Sequence, residues 1–140
     1  MTEPKPLHRL VSAPLADHPL APEGSNLVLV EWEDEGGGFD PPRTMAPRHI
    51  HHTDDEAFYV VEGTLAFELD GETIEVGAGG AVMVANGVVH TWWNPSPDPC
   101  RYLILMTRNV YTLISSLHDP DETRSPAELF RQHNSEIVEQ

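Results

Sequence analysis

The strongest constraint on the fold of this chain is the segment TLAFELDGETIEV at residues 64–76. Its centre is Asp70-Gly71, a dipeptide that favours a two-residue β-hairpin turn because glycine accepts a positive φ. With the turn placed there, apolar residues of the two arms meet across one face of the hairpin, as Phe67 does with Ile74. Turn chemistry and hydrophobic pattern therefore predict the same register for an antiparallel pair of strands.

Short strand-like segments on either side of the hairpin extend this β pattern over most of the chain. They are rich in β-branched and aromatic residues and are separated by glycine, proline and polar loops. They lie at residues 27–32, 56–61, 81–84, 88–93 and 101–107. Closely spaced short strands joined by turns are typical of a β-sandwich or a small β-barrel, so we predict an all-β domain.

The two ends of the chain differ in character from this β region. Residues 1–24 contain five prolines and are expected to form an arm that cannot be helical. Residues 108–140 are expected to be helical at 110–117 and 126–133, and Ser125 followed by proline suits the N-cap of the second helix. The sequence thus predicts three parts, an N-terminal arm (1–24), a β-barrel (25–107) and a C-terminal helical segment (108–140).

Composition limits the classes of partner. Acidic residues number 23 against 8 basic ones, which gives a formal charge of −15. A surface of this sign repels nucleic-acid phosphates and anionic lipid, so we expect neither nucleic acid nor a membrane as a partner. Cys100 is the only cysteine and can form no intrachain disulfide. With no long apolar run and no signal-like start, a soluble cytoplasmic protein is expected.

Three histidines and one glutamate form a pattern suited to a metal site. In a strand, residues i and i+2 point to the same side, so His49 and His51 share a face and His52 takes the other. Glu56 follows a short polar loop, and His90 lies in the later segment VVHTWWN. Three neutral imidazoles and one carboxylate suit a divalent Fe, Mn, Ni, Co, Cu or Zn ion. Ligands from neighbouring strands would leave a position open for water or substrate, which is typical of a catalytic site.

These residues resemble the two sequence motifs of the cupin superfamily. The first motif, G-x5-H-x-H-x(3,4)-E-x6-G, is matched by HIHHTDDEAFYVVEG, which supplies His49, His51, Glu56 and Gly63. The second, G-x5-P-x-G-x2-H-x3-N, is matched by GGAVMVANGVVHTWWN, which supplies Gly79, Gly87, His90 and Asn94. Two turn positions depart from the motifs, the leading glycine of the first and the proline of the second, which are here Arg43 and Ala85. The resemblance covers roughly residues 25–107 and retains every metal ligand.

The resemblance implies a jelly-roll barrel of six to eight strands, very often a homodimer, with one divalent transition-metal ion per chain. The chain looks most like a small single-domain, quercetin-dioxygenase-like cupin. We therefore predict a mononuclear metal-dependent enzyme, a dioxygenase-type oxidoreductase acting on a small apolar or aromatic substrate coordinated to the metal. Glu56 would be both a metal ligand and the catalytic proton acceptor.

Two other functions stay open at this point. The first is a non-redox reaction, as in an isomerase, a lyase or a polyketide-cyclase-like enzyme, in which the ion polarises a carbonyl group. The second is a binding protein without catalysis. No helix-turn-helix pattern accompanies the predicted barrel, which disfavours a fused regulator. Fold by itself does not decide among these functions.

The sequence also gives expectations for residues outside the four candidate ligands. Trp92 shares the strand face of His90 and is equally compatible with the pocket wall and with the core. Asn94 is expected to close the turn before Pro95, and Cys100 to pack in the core. The remaining histidines lack a partner pattern and are expected at the surface; they are His8, His18, His118 and His133.

Overall fold

The computed structural model describes residues 10–138, which form nine strands and two helices. The first five strands are β1 (Leu27–Asp34), β2 (His49–His51), β3 (Glu56–Glu62), β4 (Thr64–Leu69) and β5 (Glu72–Gly77). The others are β6 (Ala81–Val84), β7 (His90–Trp93), β8 (Cys100–Thr107) and β9 (Ser135–Ile137). The helices are α1 (Arg108–Leu117) and α2 (Pro126–Gln132). Residues 1–9 of the predicted arm, which include His8, lie outside the described residues.

Two antiparallel sheets face each other in a jelly roll. One, sheet A, has the strand order β1-β8-β3-β6, and the other, sheet B, has the order β5-β4-β7-β2-β9. The predicted all-β jelly-roll barrel with a short C-terminal helical tail is confirmed. Because the ladder of sheet B runs β7-β2-β9, the short strand β2 lies between a barrel strand and the last strand of the chain.

The hairpin forms as the sequence predicts. Strands β4 and β5 pair with Phe67 opposite Ile74, and the turn residues Asp70 and Gly71 have φ values of 47° and 86°. Positive φ at both central positions is typical of the turn that matches the twist of the flanking strands. A second glycine, Gly63, turns the chain from β3 into β4 with φ of 79°, where a Cβ atom would lie 2.5 Å from the carbonyl oxygen of Pro99.

The inner faces of the two sheets form one core. In β8, Tyr102, Ile104 and Met106 point inward and are almost fully buried, whereas Leu103 and Leu105 point outward. The apolar run over this strand conceals its parity from sequence inspection, so only the pairing of β8 with β1 and β3 decides it. The predicted strand at 88–93 begins two residues later, at His90, because the segment before it closes a turn through the bond from the Val88 amide to the Ala85 carbonyl.

The C-terminal segment folds back over the barrel. Thr107 and Ser125 cap α1 and α2 through side-chain oxygens that accept backbone N–H groups, as expected for such residues at N-caps. Leu113 of α1 packs with Leu129 and Phe130 of α2 in a small second core. Beyond the helices, the unpredicted strand β9 pairs with β2. Neither described helix has the length and apolarity required to cross a membrane.

Candidate metal centre

The structure brings the four predicted ligands together at one end of the barrel interior. His49 and His51 lie on β2, Glu56 begins β3, and His90 begins β7 directly opposite His49. All four are at most 4% exposed, and one nitrogen or oxygen atom from each lies within 4.8 Å of those of the others. Strand parity, the β2–β7 register and a short loop together place residues 41 positions apart in the sequence at a single point.

Hydrogen bonds at the outer nitrogens fix how the three imidazoles are protonated. The Nδ1 atoms of His49 and His90 lie 2.6 and 2.9 Å from the carbonyl oxygens of Pro47 and Val88. Because a carbonyl oxygen only accepts, these Nδ1 atoms must carry the proton. Each Nε2 atom is then left with a free lone pair facing the cluster, which is the form of histidine that binds a metal ion.

For the third ring, that of His51, the acceptor of the Nδ1 proton is Ser135 on β9. Its Oγ donates to the carbonyl oxygen of His133 at 3.0 Å, so it accepts from Nδ1 of His51 at 2.7 Å. The pairing of His51 with Ser135 across the β2–β9 ladder sets up this contact. Sequence reasoning did not include Ser135, because nothing in its local sequence indicates that the last strand borders β2.

The inward-facing atoms fit a cation. Oε1 of Glu56 lies 2.9 Å from Nε2 of His51 and 3.4 Å from Nε2 of His90. Among the described residues, no donor satisfies this Oε1 atom or Nε2 of His90, although both are buried. Several acceptors that converge without a donor are costly unless a positive charge lies between them. The residues therefore fit a divalent transition-metal ion, and the cluster can hold one.

The pKa values of the cluster also suit the binding of a metal ion. Burial lowers the pKa of His49 to about 3, and the neighbouring imidazoles add to this, so the ring is neutral at pH 7. Burial raises the pKa of the Glu56 carboxyl, but polar interactions with His51 and His90 outweigh it and bring the pKa to about 2. A neutral imidazole and an ionised carboxylate are the protonation states that metal binding requires.

An apolar cavity of about 200 Å³ opens onto the cluster. Its walls include Trp92 from the barrel, Val110 and Leu113 from α1, and Phe130 from α2, whose ring lies 5.4 Å from that of His49. The helical spacing of the apolar residues in α1 indicated a buried face, but the sequence did not show that this face covers the four-residue cluster. Among the described residues, no lysine or arginine lines this cavity.

The structure also places the residues that sequence left ambiguous. Trp92 is part of the core and also part of the pocket wall, because it is buried in the core cluster and lines the cavity. His52 points away from the cluster, 3.4 Å from Glu136 on the neighbouring strand. Asn94 closes its turn by accepting from the Ser96 amide. His118 is exposed as expected, yet it borders the cavity mouth, a role that no sequence signal indicated.

Comparison with known proteins agrees with this architecture. A profile of the cupin domain matches residues 39–106. A polyketide cyclase, RemF from Streptomyces resistomycificus, is 30% identical with a TM-score of 0.50, covering 61% of this chain and 58% of the cyclase. A sugar phosphate isomerase of the cupin superfamily from Silicibacter pomeroyi is 24% identical with a TM-score of 0.52, covering 60% of this chain and 52% of the isomerase.

A more distant likeness is to the salicylate 1,2-dioxygenase of Pseudoaminobacter salicylatoxidans, at 15% identity and a TM-score of 0.52, covering 64% of this chain and 25% of the dioxygenase. The chain spans about half the length of the sugar phosphate isomerases that it resembles. No curated protein sequence matches it. The domain profile, the jelly roll and the buried cluster at both motif positions lead to one conclusion: the chain contains a cupin domain, matched over residues 39–106.

Proposed function

We propose that the protein is a metal-dependent enzyme acting on a small, mainly apolar or aromatic substrate that carries an oxygen donor. One observation carries this proposal: three imidazole lone pairs and a carboxylate converge, without donors, at the floor of an apolar cavity. His49, His51, Glu56 and His90 would hold one divalent transition-metal ion. Such an ion supplies Lewis acidity toward a substrate oxygen and, for a redox-active metal, electron transfer.

Glu56 is the residue to which we assign the proton-transfer role. Its carboxylate is buried and has an oxygen without a donor among the described residues. A carboxylate in this state can accept a proton from a substrate hydroxyl or an acidic C–H group held in the cavity. Its Oε1 atom lies 2.9 and 3.4 Å from Nε2 of His51 and His90, so the carboxylate faces the same point as the imidazole nitrogens.

The chemistry of the cavity wall narrows the class of substrate. Trp92 and Phe130 offer flat aromatic surfaces beside the cluster, and Leu113 and Ile114 of α1 exclude water from above. A phosphorylated sugar would require cationic or multiple polar partners. Residues 10–138 contain no lysine, and none of their arginines lines the cavity. We therefore favour an aromatic or polyketide-like substrate over a sugar phosphate, and the isomerase likeness is one of fold only.

Two reaction types suit this site. The dioxygenase-type reaction predicted from the sequence is supported by the histidine-rich donor set, which suits redox metals. A non-redox cyclisation or isomerisation is supported by the 30% identity with RemF, a polyketide cyclase. Both would use Glu56 as the proton acceptor and the same apolar walls, so they differ in the requirement for O₂.

One experiment separates these possibilities. Purified protein should contain close to one transition-metal equivalent per chain, and this content is measured by elemental analysis. Metal-loaded protein is then incubated with flavonols and aromatic diketones under air and under anaerobic conditions, with substrate loss and oxygen uptake recorded. Turnover with matched oxygen uptake supports the dioxygenase. Turnover without oxygen, or full activity with Zn(II), supports the non-redox enzyme. Binding without turnover would overturn both and leave a binding protein.

The predicted homodimer is part of this proposal. The outer face of sheet A carries exposed apolar side chains on adjacent strands, among them Tyr59, Met83 and Leu105. Contiguous apolar surface of this kind is typical of a protein–protein interface. Light scattering coupled to gel filtration should give twice the chain mass, and Leu105→Glu should shift the protein toward the monomer.

A further inference from the structure

A second cavity adjoins the one above the metal cluster. It measures about 440 Å³ and lies between β1, β8 and α1. The two cavities share four lining residues, Trp32, Met45, Ile114 and His118. Trp32, Met45 and Ile114 are half-buried and His118 is exposed, and these four residues form the partition between the cavities.

Volume alone suggests that the inner cavity is not the whole binding site. Sites for small molecules commonly measure about 300–1,000 Å³. The inner cavity, at about 200 Å³, falls below that range. With the adjoining cavity the space reaches the middle of the range, so a ligand that extends past the partition would have a site of ordinary size.

The second cavity contains a buried hydrogen-bond donor that the fold does not use. Tyr102 is 2% exposed and lines this cavity, and its hydroxyl oxygen accepts from Nε1 of Trp92 at 3.1 Å. Within residues 10–138, no acceptor receives the proton of this hydroxyl. Burial raises the pKa of Tyr102, so the hydroxyl remains a neutral donor. Buried donors are normally satisfied, and one left over beside a cavity is suited to a ligand acceptor.

We propose that the two cavities form one bipartite ligand site, in which the Tyr102 hydroxyl donates a hydrogen bond to an acceptor at the far end of an extended apolar ligand. This inference rests on the proposed function, because the near end of the same ligand carries the oxygen that faces the His49–His51–Glu56–His90 cluster. Trp92 links the two ends, since its ring lies beside His90 and its Nε1 atom orients the Tyr102 hydroxyl.

The lining of the second cavity defines the chemistry of the far end. Val30, Met106 and Tyr111 make it mainly apolar, and Glu33 is its acidic residue. No lysine or arginine in the described part of the chain lines it. A carboxylate or phosphate at this end would meet Glu33 with no lysine or arginine to compensate its charge. The acceptor is therefore a neutral carbonyl or ether oxygen on an aromatic or polycyclic body.

The test uses the full-length chain loaded with Zn(II), so that binding is measured without redox turnover. Three probes are titrated calorimetrically: tropolone, 3-hydroxyflavone and 4′-methoxy-3-hydroxyflavone. Tropolone is a compact chelator that requires only the metal and the inner cavity. The two flavonols chelate in the same way and extend further, and only the methoxy compound adds an ether oxygen at its far end.

Two variants address the second cavity separately. Ser115→Phe inserts a ring into its mouth from the exposed side of α1, and should weaken both flavonols by about tenfold through lost apolar burial, without affecting tropolone. Tyr102→Phe removes only the hydroxyl, and should weaken the methoxyflavonol selectively by about fivefold. The matched controls are Thr112→Phe, on the same helix but outside both cavities, and Tyr59→Phe on the outer face of sheet A.

The outcomes are distinguishable. If tropolone does not bind the Zn(II)-loaded wild type, the ion has no position open to a substrate oxygen, so the proposed function fails and this inference fails with it. If tropolone binds but Ser115→Phe leaves flavonol affinity unchanged, the proposed function stands and the bipartite site is wrong. If Ser115→Phe weakens both flavonols but Tyr102→Phe affects them equally, the second cavity is part of the site and Tyr102 is not its donor.

Discussion

Replacing Ser135 by alanine tests the link between the C-terminal strand and the metal site. The hydroxyl is buried, accepts from Nδ1 of His51 at 2.7 Å, and donates to His133. Without it, a proton on Nδ1 of His51 would be buried without an acceptor, at a cost of about 1–3 kcal/mol. The metal-free protein can avoid most of this cost by moving the proton to Nε2, which then donates to Glu56 Oε1 at 2.9 Å.

This alternative tautomer blocks metal binding, because it occupies the lone pair that faces the cluster. Metal binding requires this proton to return to Nδ1 of His51. The free energy that the metal-free protein avoided is then subtracted from the binding free energy of the metal. We expect Ser135→Ala to weaken Zn(II) binding by about tenfold, or about 1.4 kcal/mol, within the range seen when partners of metal-bound histidines are removed. The metal-free variant should lose only about 1 kcal/mol or less in its free energy of unfolding.

Competition with a chromophoric chelator at fixed pH gives the affinity, and urea unfolding of chelator-treated protein gives the stability. Ser116→Ala is a matched control, since Ser116 is part-buried and its hydroxyl makes no hydrogen bond within residues 10–138. Zn(II) affinity in Ser135→Ala equal to that of the control would refute the tautomer argument. A large loss of stability with unchanged affinity would show that Ser135 serves folding alone.

Three further predictions concern other parts of the molecule. His90→Ala should abolish stoichiometric Zn(II) binding while circular dichroism still shows a folded barrel. His52→Ala should bind Zn(II) normally, and a loss of metal in this variant would contradict the assignment of His52 to the opposite face of the strand. Cys100 is fully buried and burial raises its thiol pKa, so Ellman's reagent should react with it only in urea. Arg48 holds the pKa of the Glu68 carboxyl below its usual range through contacts of 2.7 and 2.9 Å. A carboxyl group with a depressed pKa stabilises the fold at pH values above its ordinary pKa and loses this effect as the pH falls below it. Arg48→Gln should therefore lower the free energy of unfolding at pH 7 and leave it unchanged in strong acid, as measured by urea unfolding.

Local features of the sequence determined the hairpin and the ligand set. Asp70-Gly71 fixed the turn and hence the pairing of Phe67 with Ile74, because a two-residue loop permits only one register that buries the apolar face. The two-residue period of a strand placed His49 and His51 on one side. These inferences depend on interactions within a few residues, so the sequence was sufficient for them.

Tertiary structure alone decided what surrounds the ligands. Ser135 contacts His51 because β9 pairs with β2, a contact between residues 84 positions apart. The inward direction of Tyr102 in β8 depends on its pairing with β1 and β3, since every residue of the run Tyr102–Met106 is apolar or aromatic. Long-range pairing is selected by the packing of the whole core, and short sequence patterns do not encode it. The sequence thus determined which residues can bind a metal ion, whereas the fold decided how their rings are held and which cavities open beside them.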